Sequence, residues 1–362
     1  MSDLATTPAL FTTDVPPIDA RLAGQLLREY YGLEGQVTPL PGERDRNFCL
    51  ACADGRQMMA RFINPAEAAQ EIDFQTAMLA HVAAHNSSLP VPRLISALDG
   101  NLQPQINVNE VALSVRVVSY LPGTPQHRQA PNAAFMAQLG RTLAQLDLAL
   151  QSFRHPGAQR DLLWDITHPE RLAPKLAVIN DAEQQRLIRR VLENHHERVA
   201  PLKFSVRRQV IHNDLNPHNV LADDSGTQVS GIIDFGDALY APMINDLATA
   251  LAYQLTDEAD PLRLARPFIH AYHQALPLTD TELQVLPDLI ATRLCLTITI
   301  AGWRATLYPG NRDYILRNVP PAWRNLSRLM RLSHYQICEQ LRAAAHEEKC
   351  NERIPLVKHG AE

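Results

Sequence analysis

Asp214, Asn219 and Asp234 are the side chains of this chain whose types and spacing could do chemistry together. The first two lie in Val210-Ile211-His212-Asn213-Asp214-Leu215-Asn216-Pro217-His218-Asn219-Val220-Leu221, which reads H-x-D-x-x-x-x-N. The third lies in Gly231-Ile232-Ile233-Asp234-Phe235-Gly236-Asp237, which contains I-D-F-G. In phosphoryl transfer a protein mainly positions the reactants and neutralises charge. A carboxylate beside the accepting hydroxyl takes its proton as the new bond forms. An amide oxygen and a second carboxylate hold magnesium against the nucleotide phosphates. The stretches 219–222 and 228–233 flank the turn Asp223-Asp224-Ser225-Gly226. Folding that hairpin brings Asn219 and Asp234 to the same end of adjacent strands. Oxygen donors so placed suit a hard cation that keeps some of its waters.

Blander readings compete at each position. A lone Asp on a loop is usually a cap or turn residue, and a lone D-F-G triplet is weak. Both motifs in this order, 20 residues apart with a hairpin between them, make coincidence remote. His212 reads as a brace that holds the loop through hydrogen bonds. A zinc pair of His212 and His218 lacks an obvious third ligand. Asp246 opens Asp246-Leu247-Ala248-Thr249-Ala250 and is either an N-cap or a tie between that helix and the acid loop. No histidine or serine beside the loop demands a phosphoenzyme, so direct in-line transfer is expected.

The elements that must position these groups change character along the chain. Residues 1–17 are polar and contain prolines, a flexible leader. Residues 18–31 have the spacing of an amphipathic helix. Three short strands follow at 36–40, 47–52 and 57–63, the last two joined by Asp54-Gly55, a strong hairpin signal. Residues 65–84 read as a helix, 108–121 as strand in one or two segments, and 132–153 and 181–198 as helices. After residue 244 the pattern is helical, with breaks at Pro261, 277–279 and 309–311, before a polar tail at 341–362. Strands plus one helix, then helices with an embedded hairpin, make an α+β chain of two lobes. The boundary falls near 121–123, giving an N-terminal nucleotide-binding lobe at 18–121 and a catalytic and substrate lobe at 122–340.

Composition excludes several classes. With 362 residues, 46% hydrophobic content, a net charge of −5 and a pI near 6.3, the chain has no dense basic stripe for nucleic acid. The longest apolar-leaning run, 294–303, is too short for a membrane span and carries threonines. Cys49, Cys52, Cys295, Cys338 and Cys350 are scattered and odd in number, which suggests a reducing, cytoplasmic setting. The single C-x-x-C at Cys49 and Cys52 lacks a second pair, and small buried hydrophobes are the plainer reading.

The phrases HNDLNPHNVL, GIIDFGDALYAP and NDLATALAYQL resemble the aminoglycoside phosphotransferase and choline kinase superfamily, small-molecule relatives of the protein kinases. They look closest to its hydroxylysine kinase branch, and the resemblance covers residues 35–330. It implies a two-lobed protein-kinase-like fold with ATP and Mg2+ in the cleft. The γ-phosphoryl group would pass to a hydroxyl on a small amine-bearing substrate. By that match Asp214 is the catalytic base, Asn219 and Asp234 bind magnesium, and Tyr120 and Leu121 begin the hinge around the adenine.

The first lobe departs from the family pattern. Where the family has a phosphate-holding lysine on the third strand, this chain offers Arg61, whose planar fork differs from a point-charge ammonium. Its partner on the next helix is Glu71 or Gln75. The loop over the phosphates would be 41–47, with one glycine and with Arg44 and Arg46 to assist. Arg293, Trp303, Arg304 and Tyr314 fall where the acceptor should bind. Arg293 could meet a substrate carboxylate and Asp237 a substrate ammonium, while Trp303 at helical spacing reads more often as core. Hydroxylysine is the favoured acceptor; homoserine, choline or ethanolamine and an aminoglycoside stay open, as does the oligomeric state. Few acids among the C-terminal arginines argue for a carboxylate-bearing substrate. A regulatory pseudokinase is motivated by Arg61 and opposed by the intact Asp214, Asn219 and Asp234. A non-catalytic helical scaffold would bind no ATP.

Overall fold

The computed structural model describes residues 15–42, 44–108, 110–130, 132–256 and 259–347. Helix α1 (Ala20–Tyr31) starts where the Asp19 carboxylate accepts from Leu22 N at 2.7 Å. It stops at Gly32, whose φ of +65° lies in the left-handed region. Its buried residues Ala23, Leu27 and Tyr31 cover one face of an antiparallel sheet. That sheet is built from β1 (Gly35–Leu40), β2 (Arg46–Cys52), β3 (Gln57–Phe62), β4 (Leu94–Ile95), β5 (Gln105–Val108) and β6 (Val111–Ser119). Its order is β1-β2-β3-β6-β4, with β5 also against β6. The three early strands and the Asp54-Gly55 hairpin follow the sequence expectation, and the 108–121 stretch resolves into the end of one hairpin arm and the whole of the other.

Alternation along these strands decides what each side chain can reach. Met58, Ala60 and Phe62 point to the α1 side with Phe48 and Leu50, where the Phe48 and Phe62 rings meet edge to face at 5.7 Å. Arg61 therefore points the other way, toward α2 (Ala69–His85). That helix begins four residues later than expected. Asn64 folds the chain first, accepting Ala66 N on its side chain at 3.0 Å and Glu67 N on its carbonyl at 2.9 Å.

The second lobe holds two small sheets inside a shell of helices. β7 (Thr124–Pro125) pairs with β9 (Val220–Ala222), which pairs with β10 (Val229–Ile232). β8 (Arg208–Ile211) pairs with β11 (Leu239–Pro242). The shell comprises α3 (Ala133–Leu150), α4 (Ala182–Asn194), α5 (Ile244–Ala252), α6 (Ala265–Ala275), α7 (Asp280–Leu307), α8 (Arg312–Leu316), α9 (Val319–Leu329) and α10 (His334–His346). α7 is opened by a capping box of Thr279 and Glu282. By length and composition α7 could cross a membrane, with a window of mean hydropathy 1.5, yet 94% of that window is buried in the protein. It is the central core helix. Residues 341–346, expected to belong to a polar tail, are helical instead: α10 continues to His346, with Leu341, Ala344 and Ala345 buried. The leader at 1–14 and the residues from 348 onward, Cys350 included, lie outside the described residues.

α3 and α6 touch backbone to backbone at Gly140, where an added Cβ would sit 2.1 Å from the Phe268 carbonyl oxygen. Gly140→Ala is expected to lower unfolding free energy by about 1–3 kcal/mol, the usual effect of overpacking. Denaturant melts measure it, and a variant as stable as the parent would show that the two helices separate without strain.

Candidate active site

The acid loop leaves β8 at Ile211 and is fixed before it reaches its carboxylate. His212 is fully buried; its Nδ1 accepts from Asp214 N at 3.2 Å, so its Nε2–H is left to donate to the Ile233 carbonyl at 3.1 Å. The Phe235 ring packs against it edge-on at 4.6 Å. His212 is thus a brace. Asn213 follows with φ of +65°, a left-handed conformation that Asn tolerates better than most residues. Both turned amides end on one side chain: His212 N donates to Asp246 Oδ2 at 2.9 Å and Asn213 N to Asp246 Oδ1 at 2.8 Å. Asp246 lies in the first turn of α5, whose N-cap Met243 provides no side-chain cap, and it ties helix to loop.

Behind Asp246 lies a second buried carboxyl, Asp147 of α3, which hydrogen-bonds Asp246 and accepts from Tyr272 Oη at 2.6 Å. Two carboxyl groups can bond each other only through a shared proton. Burial, then the Asp246 charge, raise Asp147 well above the ordinary carboxylate range, so the proton belongs with Asp147.

The hairpin does what the spacing required. Ile233 N donates to the Asn219 carbonyl at 2.9 Å, which places Asn219 and the Asp234 turn side by side. Asn219 Nδ2 donates to the Asp214 backbone oxygen and to Asp214 Oδ2, each at 2.9 Å, and so presents its Oδ1 as an oxygen donor. Asn216 Nδ2 reaches the same Oδ2 at 2.9 Å. Asp234 is exposed and holds φ of +63°, a strained conformation for a non-glycine residue. Burial pushes Asp214 up to about 6, with the Asp234 charge adding to it and Arg293 opposing. Burial likewise pushes Asp237 up to about 6, followed by the charges of Asp214 and Asp234.

Among the described residues no three His, Cys, Asp or Glu side chains gather as a metal cage, and His212 engages both ring nitrogens within the protein. The set Asn219 Oδ1 and Asp234 carboxylate fits a hard divalent cation instead. Magnesium is usually held by one or two protein oxygens and completed by phosphates and water.

The other wall of the cleft carries Arg61. Its Nε donates to Asp45 Oδ2 at 2.5 Å, its Nη2 reaches Glu67 Oε2 at 3.4 Å and its Nη1 reaches Gln75 Oε1 at 3.4 Å. The Asp234 charge also acts on it. Gln75 is therefore the α2 partner, and the acids come from Asp45 and Glu67, which the sequence reading missed. Glu71 instead takes Arg160 Nη2 at 2.8 Å, while Arg160 Nη1 donates to the Gly236 carbonyl at 2.7 Å. Arg46 corrects the expectation of a phosphate contact: it pairs in register with Phe62, on the α1 face, and its Nε donates to the Pro16 carbonyl at 3.3 Å. In the 41–47 loop the Arg44 carbonyl accepts from Asn64 Nδ2 at 3.1 Å, and Asp45 turns inward to Arg61. At the hinge, Tyr120 N donates to the Gln57 carbonyl at 3.0 Å. Leu121 lies so close to Gly231 that a Cβ there would approach its Cδ1 to 3.0 Å. A register shift in β10 turns Ser230 out, and its Oγ donates to the Pro122 carbonyl at 2.8 Å.

The acceptor-side expectations divide. Arg293 is 2% exposed and committed: its Nη2 donates to Asp214 Oδ1 at 2.8 Å and to Tyr253 Oη at 3.3 Å, and its guanidinium lies 5.3 Å from the Trp164 ring centre. It orients the acid and is not an open carboxylate receptor. Trp303 stands ten residues further along α7, about 15 Å at the usual rise, and takes the Lys175 ammonium over its ring at 4.8 Å. Arg304 follows it on the same turn, so neither shares the Arg293 site. Tyr314 is exposed and stacks on Arg317 at 3.8 Å. His218, on the acid loop itself, packs on His127 at 4.0 Å and hydrogen-bonds Asn318. Burial, then the Arg317 charge, push its pKa down to about 4.

A family model described as "Phosphotransferase enzyme family" matches residues 36–282, more than half of the chain. Hydroxylysine kinase of Mus musculus is 25% identical over 332 residues, covering 85% of this chain and 88% of that protein. Homoserine kinase of Methylobacillus glycogenes is 30% identical over 276 residues, covering 74% of this chain and 79% of that protein. A solved structure of a microcompartment-associated aminopropanol kinase superposes with a TM-score of 0.68 at 20% identity, covering 90% of this chain and 99% of its own.

Asp147→Asn keeps a donor toward Asp246 and an acceptor for Tyr272 while removing the group whose pKa is raised. A carboxyl raised on folding binds its proton more tightly in the native state, so native stability falls as pH climbs from about 4 toward the raised value. The variant is expected to match the parent near pH 4 and to gain on it as pH rises. Thermal melts across that range measure the difference; parallel curves would show that Asp147 folds in its charged form.

Proposed function

Since the chain belongs to the phosphotransferase enzyme family and is a small-molecule kinase, we propose that it moves the γ-phosphoryl group of ATP to a hydroxyl of a small amino acid, with hydroxylysine the first choice. The convergence of Asp214, Asn219 and Asp234 on one cleft, facing Arg61, carries this reading. Coverage of 88% of a hydroxylysine kinase supports the choice of acceptor, and homoserine is the next candidate.

In the proposed step the substrate hydroxyl donates to Asp214, held in place by Arg293 Nη2 and the amides of Asn216 and Asn219. The oxygen–phosphorus bond forms, the bond from phosphorus to the β,γ-bridging oxygen breaks, and the hydroxyl proton passes to Asp214. A carboxylate pushed up to about 6 is a better proton acceptor near neutral pH than an ordinary aspartate. Magnesium, when bound, neutralises the phosphate charge, and Asn219 Oδ1 and the Asp234 carboxylate are the groups that would hold it. Arg61 faces the phosphates from the other lobe. Its fork is kept rigid by Asp45, Glu67 and Gln75, and Tyr120 and Leu121 border the adenine.

Asp237, whose carboxyl feels the charges of Asp214 and Asp234, would meet the substrate ammonium. Arg293 is already paired, so recognition of the carboxylate falls to the basic group around His218, where the charges of Arg317 and Arg128 act.

Asp214→Asn is expected to lower kcat about 100- to 10,000-fold, the range for loss of a general base. The rise in melting temperature with Mg-ATP should survive, since a ligand bound only to the folded state stabilises it. ADP release across a panel of hydroxylated amines tests the assignment; turnover in the Asn variant equal to the parent's would refute the base. Arg317→Ala is expected to raise KM for hydroxylysine about tenfold or more, as for loss of a charge-assisted hydrogen bond, and to leave KM for the decarboxylated analogue unchanged. An equal rise for both compounds would remove Arg317 from carboxylate recognition.

A further inference from the structure

Asp214 and Asn219 are fixed by the acid loop, whereas Asp234 is exposed and sits on a turn with φ of +63°. A non-glycine residue keeps such a conformation only where its surroundings hold it. The hold is at Gly236. Its amide donates to Asp234 Oδ1 at 3.3 Å, which fixes the rotation of the carboxylate, and its carbonyl accepts from Arg160 Nη1 at 2.7 Å. The carboxylate side is tight, since a Cβ at Gly236 would lie 3.1 Å from Asp234 Oδ1.

Arg160 is brought there by a segment that lies flat on α2. The Phe153 ring stacks on Phe74 at 6.0 Å, and His155 Nε2 lies 3.0 Å from Asp73 Oδ2. Gly157 comes so near that an added Cβ would sit 2.5 Å from the Gln70 carbonyl oxygen. Arg160 Nη2 then donates to Glu71 Oε2 at 2.8 Å on the same helix. The Arg160 side chain is 13% exposed, so salt screens this pair only weakly. One arm of the fork is anchored and the other serves Gly236, a division that the point charge of a lysine does not reproduce.

A cation at this place can act in two ways, and they differ in sign. A free positive charge beside a metal site repels the metal, so removing it tightens metal binding. A group that orients a metal ligand does the opposite: its loss typically weakens metal affinity by about 10- to 100-fold. Glu71 neutralises the Arg160 charge and leaves its geometry in place, so orientation is the larger effect.

We propose that Arg160 is a positioning residue for the metal-bound nucleotide. Braced by Glu71, it holds the Gly236 carbonyl, and the Gly236 amide in turn keeps the Asp234 carboxylate in the orientation that takes the cation. The inference rests on the reading of Asp234 as a cation ligand. Arg160 acts through that side chain and touches no substrate.

The test measures ATP binding to the full chain by calorimetry, with Mg2+ and with a chelator. Acceptor is left out because the Arg160 charge also reaches Asp237. The parent is expected to bind ATP more tightly with Mg2+, and Asp234→Ala to lose that gain. Arg160→Met is expected to weaken Mg-ATP binding about tenfold or more, with metal-free ATP binding as in the parent. The pair Arg160→Met and Glu71→Gln together is expected to bind Mg-ATP no worse than Arg160→Met alone, because Glu71 acts through Arg160. Arg160→Gln, equally uncharged but polar, stands in if the Met variant does not fold. Unchanged or tighter Mg-ATP binding without Arg160, or an equal loss with and without Mg2+, overturns the positioning role while Asp234 keeps its own. Parent binding indifferent to Mg2+, or unaffected by Asp234→Ala, overturns the cation-ligand reading and this inference with it.

Discussion

The acid loop depends on one buried carboxylate. Asp246 collects the amides of His212 and Asn213 on its two oxygens, and those amides point inward only because Asn213 takes a left-handed turn. Without that acceptor two buried donors would be orphaned, at a cost on the order of 1–3 kcal/mol each. The same turn swings Asp214 into the cleft, where Arg293, Asn216 and Asn219 fix its oxygens. Asp246 is in turn supported by a protonated Asp147 and by Tyr272, so α3, α5 and α6 all bear on the position of one side chain. The charged machinery rests on a neutral hydrogen-bonded base.

The first lobe solves a different problem. An arginine on a central strand must be desolvated, and its charge has to be balanced before any phosphate arrives. Asp45 and Glu67 do this from two loops while Gln75 steadies the fork from the helix. A lysine would need a single partner on α2. The broader guanidinium needs several, which accounts for the neutral residue at the helix position and for the acid drawn inward from the loop over the cleft.

Local signals were legible and distant partners were not. The Asp-Gly hairpin, the H-x-D loop and the I-D-F-G turn each carry their geometry within a few residues, so the two motifs and their convergence could be read from order and spacing. Arg61 could be placed on its strand, but Asp45 follows Pro41-Gly42 by a few residues and Glu67 follows Asn64-Pro65, and both look like ordinary turn residues. Choosing Gln75 over Glu71 required knowing that Arg160, 89 residues downstream of Glu71, claims Glu71. Arg46 was read as part of the loop, whereas β2 begins at it and its pairing with Phe62 puts it on the α1 face. Arg293 offered a clue that went unused: an arginine inside the apolar run from Ile290 to Ile300 must find a buried counter-charge. Trp303 followed helical spacing into a part of α7 too far along to share the site.

Arg160 has a mechanical consequence. One guanidinium grips Glu71 on a helix of the first lobe and the carbonyl of Gly236, two residues past Asp234, in the second. Parting the lobes to admit or discharge a nucleotide must either break this clasp or tug on the strained turn that carries Asp234. Opening of the cleft and the posture of its exposed carboxylate are geared together, so the enzyme cannot gape without disarming itself.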